Sequence, residues 1–204
     1  MLLEYPNKLS KEAVLAQKQT TVCSMPFQSF SKLLFHGDNL DVLRCLLDNG
    51  YGNTVDLVYI DPPFATNNDF TISTGRIRTI SREKSNISAY SDTLSGYSFI
   101  EFLRRRLILI RELLSEQGSI YLHIDYKIGH YVKIIMDEVF GIDNFKNDIT
   151  RVKCNPKNFN RKAYGNVKDM ILFYSKTDKM LWNDPRESLT DEDISKRFKK
   201  IDTN

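Results

Sequence analysis

No apolar run in this 204-residue chain approaches the roughly 18 residues that a membrane-crossing helix requires. The opening Met1-Leu2-Leu3-Glu4-Tyr5-Pro6 lacks a basic stretch followed by an apolar core, so it carries no leader signature. Together these read as a cytoplasmic protein without membrane contact. Cysteine is scarce: the three thiols, Cys23, Cys45 and Cys154, are far apart and odd in number. That excludes a complete disulfide framework and reads as reduced thiols. With no Cys-x-x-Cys pair and no Cys/His cluster, no metal is expected. Net charge is also small, at +3, too little by itself to mark a nucleic-acid binder. A content of 27% charged and 41% hydrophobic residues excludes disorder, and no internal repeat is present.

What is present is an alternation of apolar runs and amphipathic stretches. Leu33-Leu34-Phe35-His36 reads as a short strand ending at Gly37-Asp38-Asn39. Leu40, Leu43 and Leu46-Leu47 mark a helix that stops near Asn49-Gly50. Val55-Asp56-Leu57-Val58-Tyr59-Ile60 is a strand of buried type, cut off by two prolines. Residues 64–96 are polar, without clear periodicity, and read as a long functional loop or a disordered one. Phe99, Phe102-Leu103, Leu107, Ile110 and Leu113-Leu114 mark a long helix closed by Gly118. Ser119–Ile124 follows as a strand, then a helix through Ile128, Val132, Ile135 and Val139 that stops at Gly141. Further strands are expected near Ile149–Lys153 and Met170–Tyr174, and a charged helix near Asp191–Lys200. A short helix is expected around Lys11–Lys18.

Strands alternating with helices predict an α/β fold built on an open, doubly wound parallel sheet. Ligands bind such sheets outside the carboxyl ends of the strands. Asp38 and Asp61 each fall just past such an end, in the predicted cleft. At the second lies Asp61-Pro62-Pro63-Phe64. A carboxylate followed by a carbonyl on a backbone whose φ is fixed twice offers two rigid acceptors. These suit an exocyclic amine on a base, whose lone pair is delocalised into the ring. The acceptors hold its hydrogens and draw the nitrogen toward tetrahedral geometry as a methyl group arrives. An aromatic ring at Phe64 can stack on the base. The bland alternative is a plain turn after a strand.

Several separated motifs then appear in order. Gly37-Asp38-Asn39-Leu40 and Val55 to Phe64 come first, then Arg105-Arg106-Leu107 to Glu112-Leu113-Leu114, and Gly118-Ser119-Ile120-Tyr121-Leu122-His123-Ile124-Asp125. After these come Met136-Asp137-Glu138-Val139-Phe140-Gly141, Tyr174-Ser175-Lys176-Thr177 and Trp182-Asn183-Asp184-Pro185-Arg186. Over about residues 30–204 the chain resembles the DNA amino-methyltransferases of bacterial restriction–modification systems. The likeness is strongest to the permuted group, with the Asp-Pro-Pro-Phe motif first, that includes type III modification subunits.

The resemblance implies an incomplete Rossmann-like methyltransferase sheet and transfer of a methyl group from S-adenosyl-L-methionine to a flipped adenine N6 in double-stranded DNA. It gives Asp61, Pro62, Pro63 and Phe64 the catalytic work and assigns Gly37, Asp38 and Asp61 to the cofactor. An aspartate at the first motif position is typical of adenine enzymes; cytosine-N4 chemistry is the alternative within the class. Residues 1–30 are expected to form an extension, 31–182 the target-amine half of the catalytic domain, and 183–204 the start of a truncated recognition region.

The resemblance also implies a glycine turn, Phe-x-Gly-x-Gly, that does not occur. The single Gly-x-Gly, Gly50-Tyr51-Gly52, precedes the catalytic strand and reads as a loop. A truncated or split enzyme is therefore expected, inactive alone, with a second chain carrying that motif or a restriction subunit as partner. A non-catalytic DNA- or partner-binding remnant is the alternative from another class. Methylation of a protein amide or of RNA is disfavoured, because relatives of that kind carry Asn where Asp61 stands.

On the DNA side, Lys157, Phe159, Arg161, Lys162 and Tyr164 interleave cations with aromatics, as phosphate contact and base stacking require. Arg76 and Arg78 are a weaker case of the same kind, and either group reads alternatively as a solvated loop. Arg104-Arg105-Arg106 lies on a helix with apolar neighbours and reads as a solvated face with buried stems. His123 and Asp125 share a strand face; a metal site would need more ligands than are evident, so they read as structural or as minor members of the cleft.

Overall fold

The computed structural model describes residues 2–18, 32–62, 96–153, 167–184, 186 and 188–197, and the backbone of three strands at 69–73, 76–79 and 87–91. Helix α1 (Lys11–Ala16) starts at Ser10, whose hydroxyl accepts from the Ala13 amide. Helix α2 (Asn39–Asp48) starts at Asp38 and ends at Asn49, whose amide bonds back to the Cys45 and Leu47 carbonyls. Strand β1 (Val55–Ile60) leads on to a three-stranded antiparallel sheet of β2 (Asp69–Ser73), β3 (Arg76–Thr79) and β4 (Ile87–Ser91), in the order β3-β2-β4. Helix α3 (Tyr97–Leu113), strand β5 (Leu114–Asp125), helix α4 (Gly129–Phe140), strands β6 (Phe145–Val152) and β7 (Lys168–Ser175), and helix α5 (Asp191–Arg197) complete the order.

The main sheet runs β1-β5-β7-β6. β1 and β5 are parallel and joined through α3, the crossover such a pair requires. β7 is antiparallel to both β5 and β6. The α/β class therefore holds, with a mixed sheet in place of the wholly parallel one expected from apolar runs alone. β6 is half-exposed along most of its length, as an antiparallel edge strand can be.

Side-chain alternation divides the sheet. Ile120, Leu122 and Ile124 of β5, with Met170, Leu172 and Tyr174 of β7, face α3 and α4. There they meet Phe99, Leu103, Leu107 and Ile110, and Val132, Ile135, Met136 and Phe140. Each fully buried Leu or Phe contributes about 1.5–3 kcal/mol, so this face is the main source of stability. On the other face Leu57 and Tyr59 are 62% and 59% exposed. Residues 2–18 pack onto the helical side: Tyr5 joins the core and donates to Glu101 at 2.6 Å.

Local expectations fare unevenly. α2, α3, α4 and the stop at Gly141, whose φ is +93°, fall where periodicity places them. Leu33–His36 forms no strand; Leu34 is 97% exposed, and three apolar residues and a histidine without a paired neighbour do not make one. The stretch expected to be an irregular loop carries β2, β3 and β4, where Thr71, Ile72, Ile77 and Ile87 supply β-branched positions. Gly118 does not end α3, which stops at Leu113. It lies within β5, in a bulge between the Val55–Leu114 and Leu57–Ser119 pairs. A Cβ there would come within 2.8 Å of the Val55 carbonyl oxygen. Cys45 is fully buried and disulfide-bonded, against the expectation of reduced thiols; Cys23 and Cys154 lie outside the described residues. No helix among the described residues is long and apolar enough to cross a membrane.

Candidate active site

β1 delivers the site. Its last residue, Ile60, pairs with Leu122 of β5, and the chain leaves the sheet through Asp61-Pro62. Pro62 has no amide hydrogen with which to continue the ladder, so the strand ends there. Asp61 thus sits just past the carboxyl end of a strand in a parallel pair, where open α/β sheets bind ligands.

Asp38 reaches the same place from another element. Its Oδ1 accepts from the Leu40 amide at 2.7 Å, capping α2, and from Arg106 Nη2 at 2.9 Å. Arg106 also donates through Nε to Asn39 Oδ1 at 2.5 Å, and its guanidinium lies 3.5 Å from the Phe102 ring centroid. The three consecutive arginines are therefore not a solvated face. Arg106 holds the start of α2 and Arg105 bonds Gln17 at 2.5 Å, while buried Arg104 pairs with Glu138 at 2.7 Å and Glu101 at 3.3 Å. Desolvation alone would make such burial prohibitive; facing carboxylates on α3 and α4 reverse the balance.

Between α2, β1 and α3 lies a cavity of about 870 Å³, with Gly37, Asp38, Asp61 and Pro62 on its lining and Val42, Val58, Ile60 and Phe102 among its apolar walls. That volume lies within the range of small-molecule sites, roughly 300–1,000 Å³. Two carboxylates from separate elements thus converge on one apolar-walled space, as their positions in the sequence predict, although the element before Asp38 is no strand.

Behind Asp61 runs a row of polar groups whose link to Asp61 and Asp169 sequence reading missed, although it placed His123 and Asp125 on one strand face. Tyr59 pairs with Tyr121, so alternation puts Asp61 and His123 on one face. His123 Nδ1 lies 3.3 Å from Asp61 Oδ1, and His123 Nε2 lies 3.4 Å from Asp169 Oδ2 on β7. Asp169 is 1% exposed and meets Lys153 at 2.5 Å and Arg151 at 3.1 Å, both from the β6 side. Burial pushes the Asp169 carboxyl up, but Lys153 and then His123 outweigh it and hold the group below the usual carboxylate range. Lys153 also approaches Asp125 at 3.8 Å. The missed signal was the shared parity of His123 and Asp61, which has meaning only once β1 and β5 are known to pair in this register.

Pro63 and Phe64 lie outside the described residues, as do Lys157, Phe159, Arg161, Lys162 and Tyr164. Arg76 and Arg78 are on β3, with only their backbone described. Of the residues expected to act, the structure therefore brings together Gly37, Asp38, Asp61 and Pro62.

Comparison with known proteins adds the following. The profile of the DNA methylase family matches residues 55–203. A type II methyltransferase of Enterobacter cloacae, M.EcaI, is 36% identical over 208 residues, an alignment covering 98% of this chain and 43% of the relative. The Mod subunit of the type III restriction-modification enzyme StyLTI, from Salmonella typhimurium, is 34% identical over 182 residues, covering 82% of this chain and 27% of the subunit. The chain thus spans less than half the length of these curated relatives. Among solved structures, the M1.HpyAVI–SAM complex aligns with a TM-score of 0.47 and 18% identity, over 76% of this chain and 60% of that one.

Proposed function

Because the chain belongs to the DNA methylase family, we propose that it holds the target amine while a methyl group passes from S-adenosyl-L-methionine to adenine N6 in double-stranded DNA. The observation that carries this reading is the convergence of Asp38 and Asp61 on one cavity at the carboxyl end of β1. The described residues fit the cofactor. Apolar walls at Val42, Val58 and Phe102 suit a purine, and two carboxylates complement a cationic donor. Both bonds to Asp38 fall on Oδ1, and Oδ2 accepts none among the described residues.

When bound, the cofactor supplies an electrophilic methyl group on sulfonium. The chain's own residues do the rest. The base must leave the duplex stack to reach the site. Asp61 accepts one hydrogen of its amino group and the Pro62 carbonyl accepts the other, on a backbone held rigid by Pro62 and Pro63. Phe64 stacks on the ring. Asp38, at the Gly37-Asp38 turn and braced by Arg106, holds the cofactor from the α2 side. In-line positioning of amine and methyl is then the main source of acceleration. Arg76 and Arg78, with Lys157, Arg161 and Lys162, are assigned to phosphate contact, and Phe159 and Tyr164 to stacking on the extruded base.

Duplex DNA is the partner this reading requires, and a bacterial cytoplasm is the compartment that contains it. The Salmonella relative is named a subunit of a restriction-modification enzyme, so a second subunit of such an enzyme is the expected protein partner. The test fuses this chain to the carboxy-terminal remainder of the Enterobacter relative and supplies labelled cofactor with unmethylated duplex DNA. Digestion to nucleosides should yield labelled N6-methyladenine from the fusion, none from the chain alone, and none from the Asp61→Ala fusion. Labelled N4-methylcytosine, or transfer that survives Asp61→Ala, would overturn the reading.

A further inference from the structure

Asp61 is anchored across three strands. Its Oδ1 faces His123 Nδ1 at 3.3 Å, and the other ring nitrogen faces Asp169 Oδ2 at 3.4 Å. The imidazole Nδ1–H is placed to donate to the Asp61 carboxylate, while the far side of the ring rests against Asp169. The groups around the ring hold it in that orientation. Asp169 is almost wholly buried, is held ionised by Lys153 and Arg151, and is fixed on β7 opposite the strand that carries His123. Asp125, on the His123 face of β5, is approached by Lys153, and Tyr121 is the remaining titratable group of that face on β5. Asp61 is the half-exposed end of the row, with its Oδ1 committed to the ring.

We propose that His123, braced by Asp169, is a positioning residue that orients the Asp61 carboxylate. The ring fixes the Asp61 rotamer through Oδ1 and leaves Oδ2 as the acceptor for the substrate amine. This role rests on the methyl-transfer reading of Asp61, while the contact itself can be read without any turnover.

The ring nitrogens of the ¹⁵N-labelled full chain report the contact directly. Three histidines are present, and His123→Asn identifies the third signal by its absence. Asp169→Asn and Asp61→Asn should each shift the His123 ring-nitrogen resonances from their wild-type positions. A His123 signal indifferent to both substitutions would overturn the proposal.

In the fusion used to test Asp61, His123→Ala should lower kcat roughly a hundredfold with KM nearly unchanged, the scale expected of a misplaced catalytic group. His123→Asn places an amide donor near the position of Nδ1 and should recover most of that loss. Full activity in His123→Ala, or no recovery of rate in His123→Asn, would sink the positioning role while leaving Asp61 in place. Far-ultraviolet circular dichroism melts of each variant separate misfolding from mispositioning.

Discussion

At Glu138 two cations converge, Arg104 Nε at 2.7 Å and Lys8 Nζ at 2.9 Å. Burial pushes this carboxyl up, but the hydrogen bonds from Lys8 and Arg104 outweigh it and hold the group below its usual value. Asp169 is depressed for the same kind of reason. A carboxylate whose folded-state pKa is lowered contributes stability above its unfolded value and loses it as pH falls through the lowered one. Stability should therefore decline on the acid side as these two groups take up protons. Glu138→Ala takes the shorter of its two carboxylate partners from buried Arg104, leaving Glu101 and the Leu9 carbonyl, and should cost about 3 kcal/mol at neutral pH. Urea melts at neutral and acidic pH should show that deficit shrinking as pH falls; a constant deficit would mean that charge is not its cause. Neither pairing was legible in the sequence. Asp61 and Asp38 could be read because each lies beside punctuation, two prolines or a glycine. Glu138 and His123 draw their meaning from partners far along the chain.

Strand β5 begins where α3 ends, and the change of direction is packed into the bulge around Gly118. A Cβ at that position would press on the Val55 carbonyl oxygen and on Ser115 O at 3.0 Å, both backbone atoms that cannot step aside cheaply. Lys176 closes the same corner. It is buried, bonds Asn53 and the Leu114 carbonyl, and lies 3.4 Å from Glu116. Gly118→Ala should cost roughly 1–3 kcal/mol through overpacking, visible as a lowered urea midpoint. Because β1 is the strand displaced, the variant should also weaken the His123–Asp61 contact in the ring-nitrogen spectrum. An unchanged midpoint would show that the bulge relaxes freely. Helices α3 and α4 were legible because seventeen and twelve residues give periodicity room to declare itself. The bulge and strands β2 to β4 were not, since short polar segments with scattered β-branched residues carry no period until partners are known.

Across the whole molecule, residues 2–18 are bound into the helical layer. Tyr5 and Val14 are buried, Lys8 pairs with Glu138, and the Leu9 carbonyl accepts from Arg104 at 2.8 Å. Deleting this segment removes two apolar side chains and leaves Glu101, Arg104 and Glu138 short of partners. The loss should reach roughly 5 kcal/mol, comparable to the total stability of an ordinary domain. A trimmed chain should lose its cooperative urea transition; one that keeps the full-length midpoint would show that the segment is dispensable. Composition and alternation were enough to establish the α/β class. They could not reveal that β7 runs antiparallel, because a strand's direction leaves no trace in its own residues.

The row from Asp61 through His123 to Asp169 also determines which kinds of sequence change the protein can absorb. Its three members hang from β1, β5 and β7 on a common face, and successive residues of a strand face opposite ways. A substitution in these strands alters one side chain. One residue inserted or removed in β7 between Asp169 and Ser175 would leave the ladder able to pair, yet turn Asp169 into the core and aim Met170 or its neighbour at the histidine. Lineages of this protein should therefore vary freely in length through their connections while keeping the length of β7 constant.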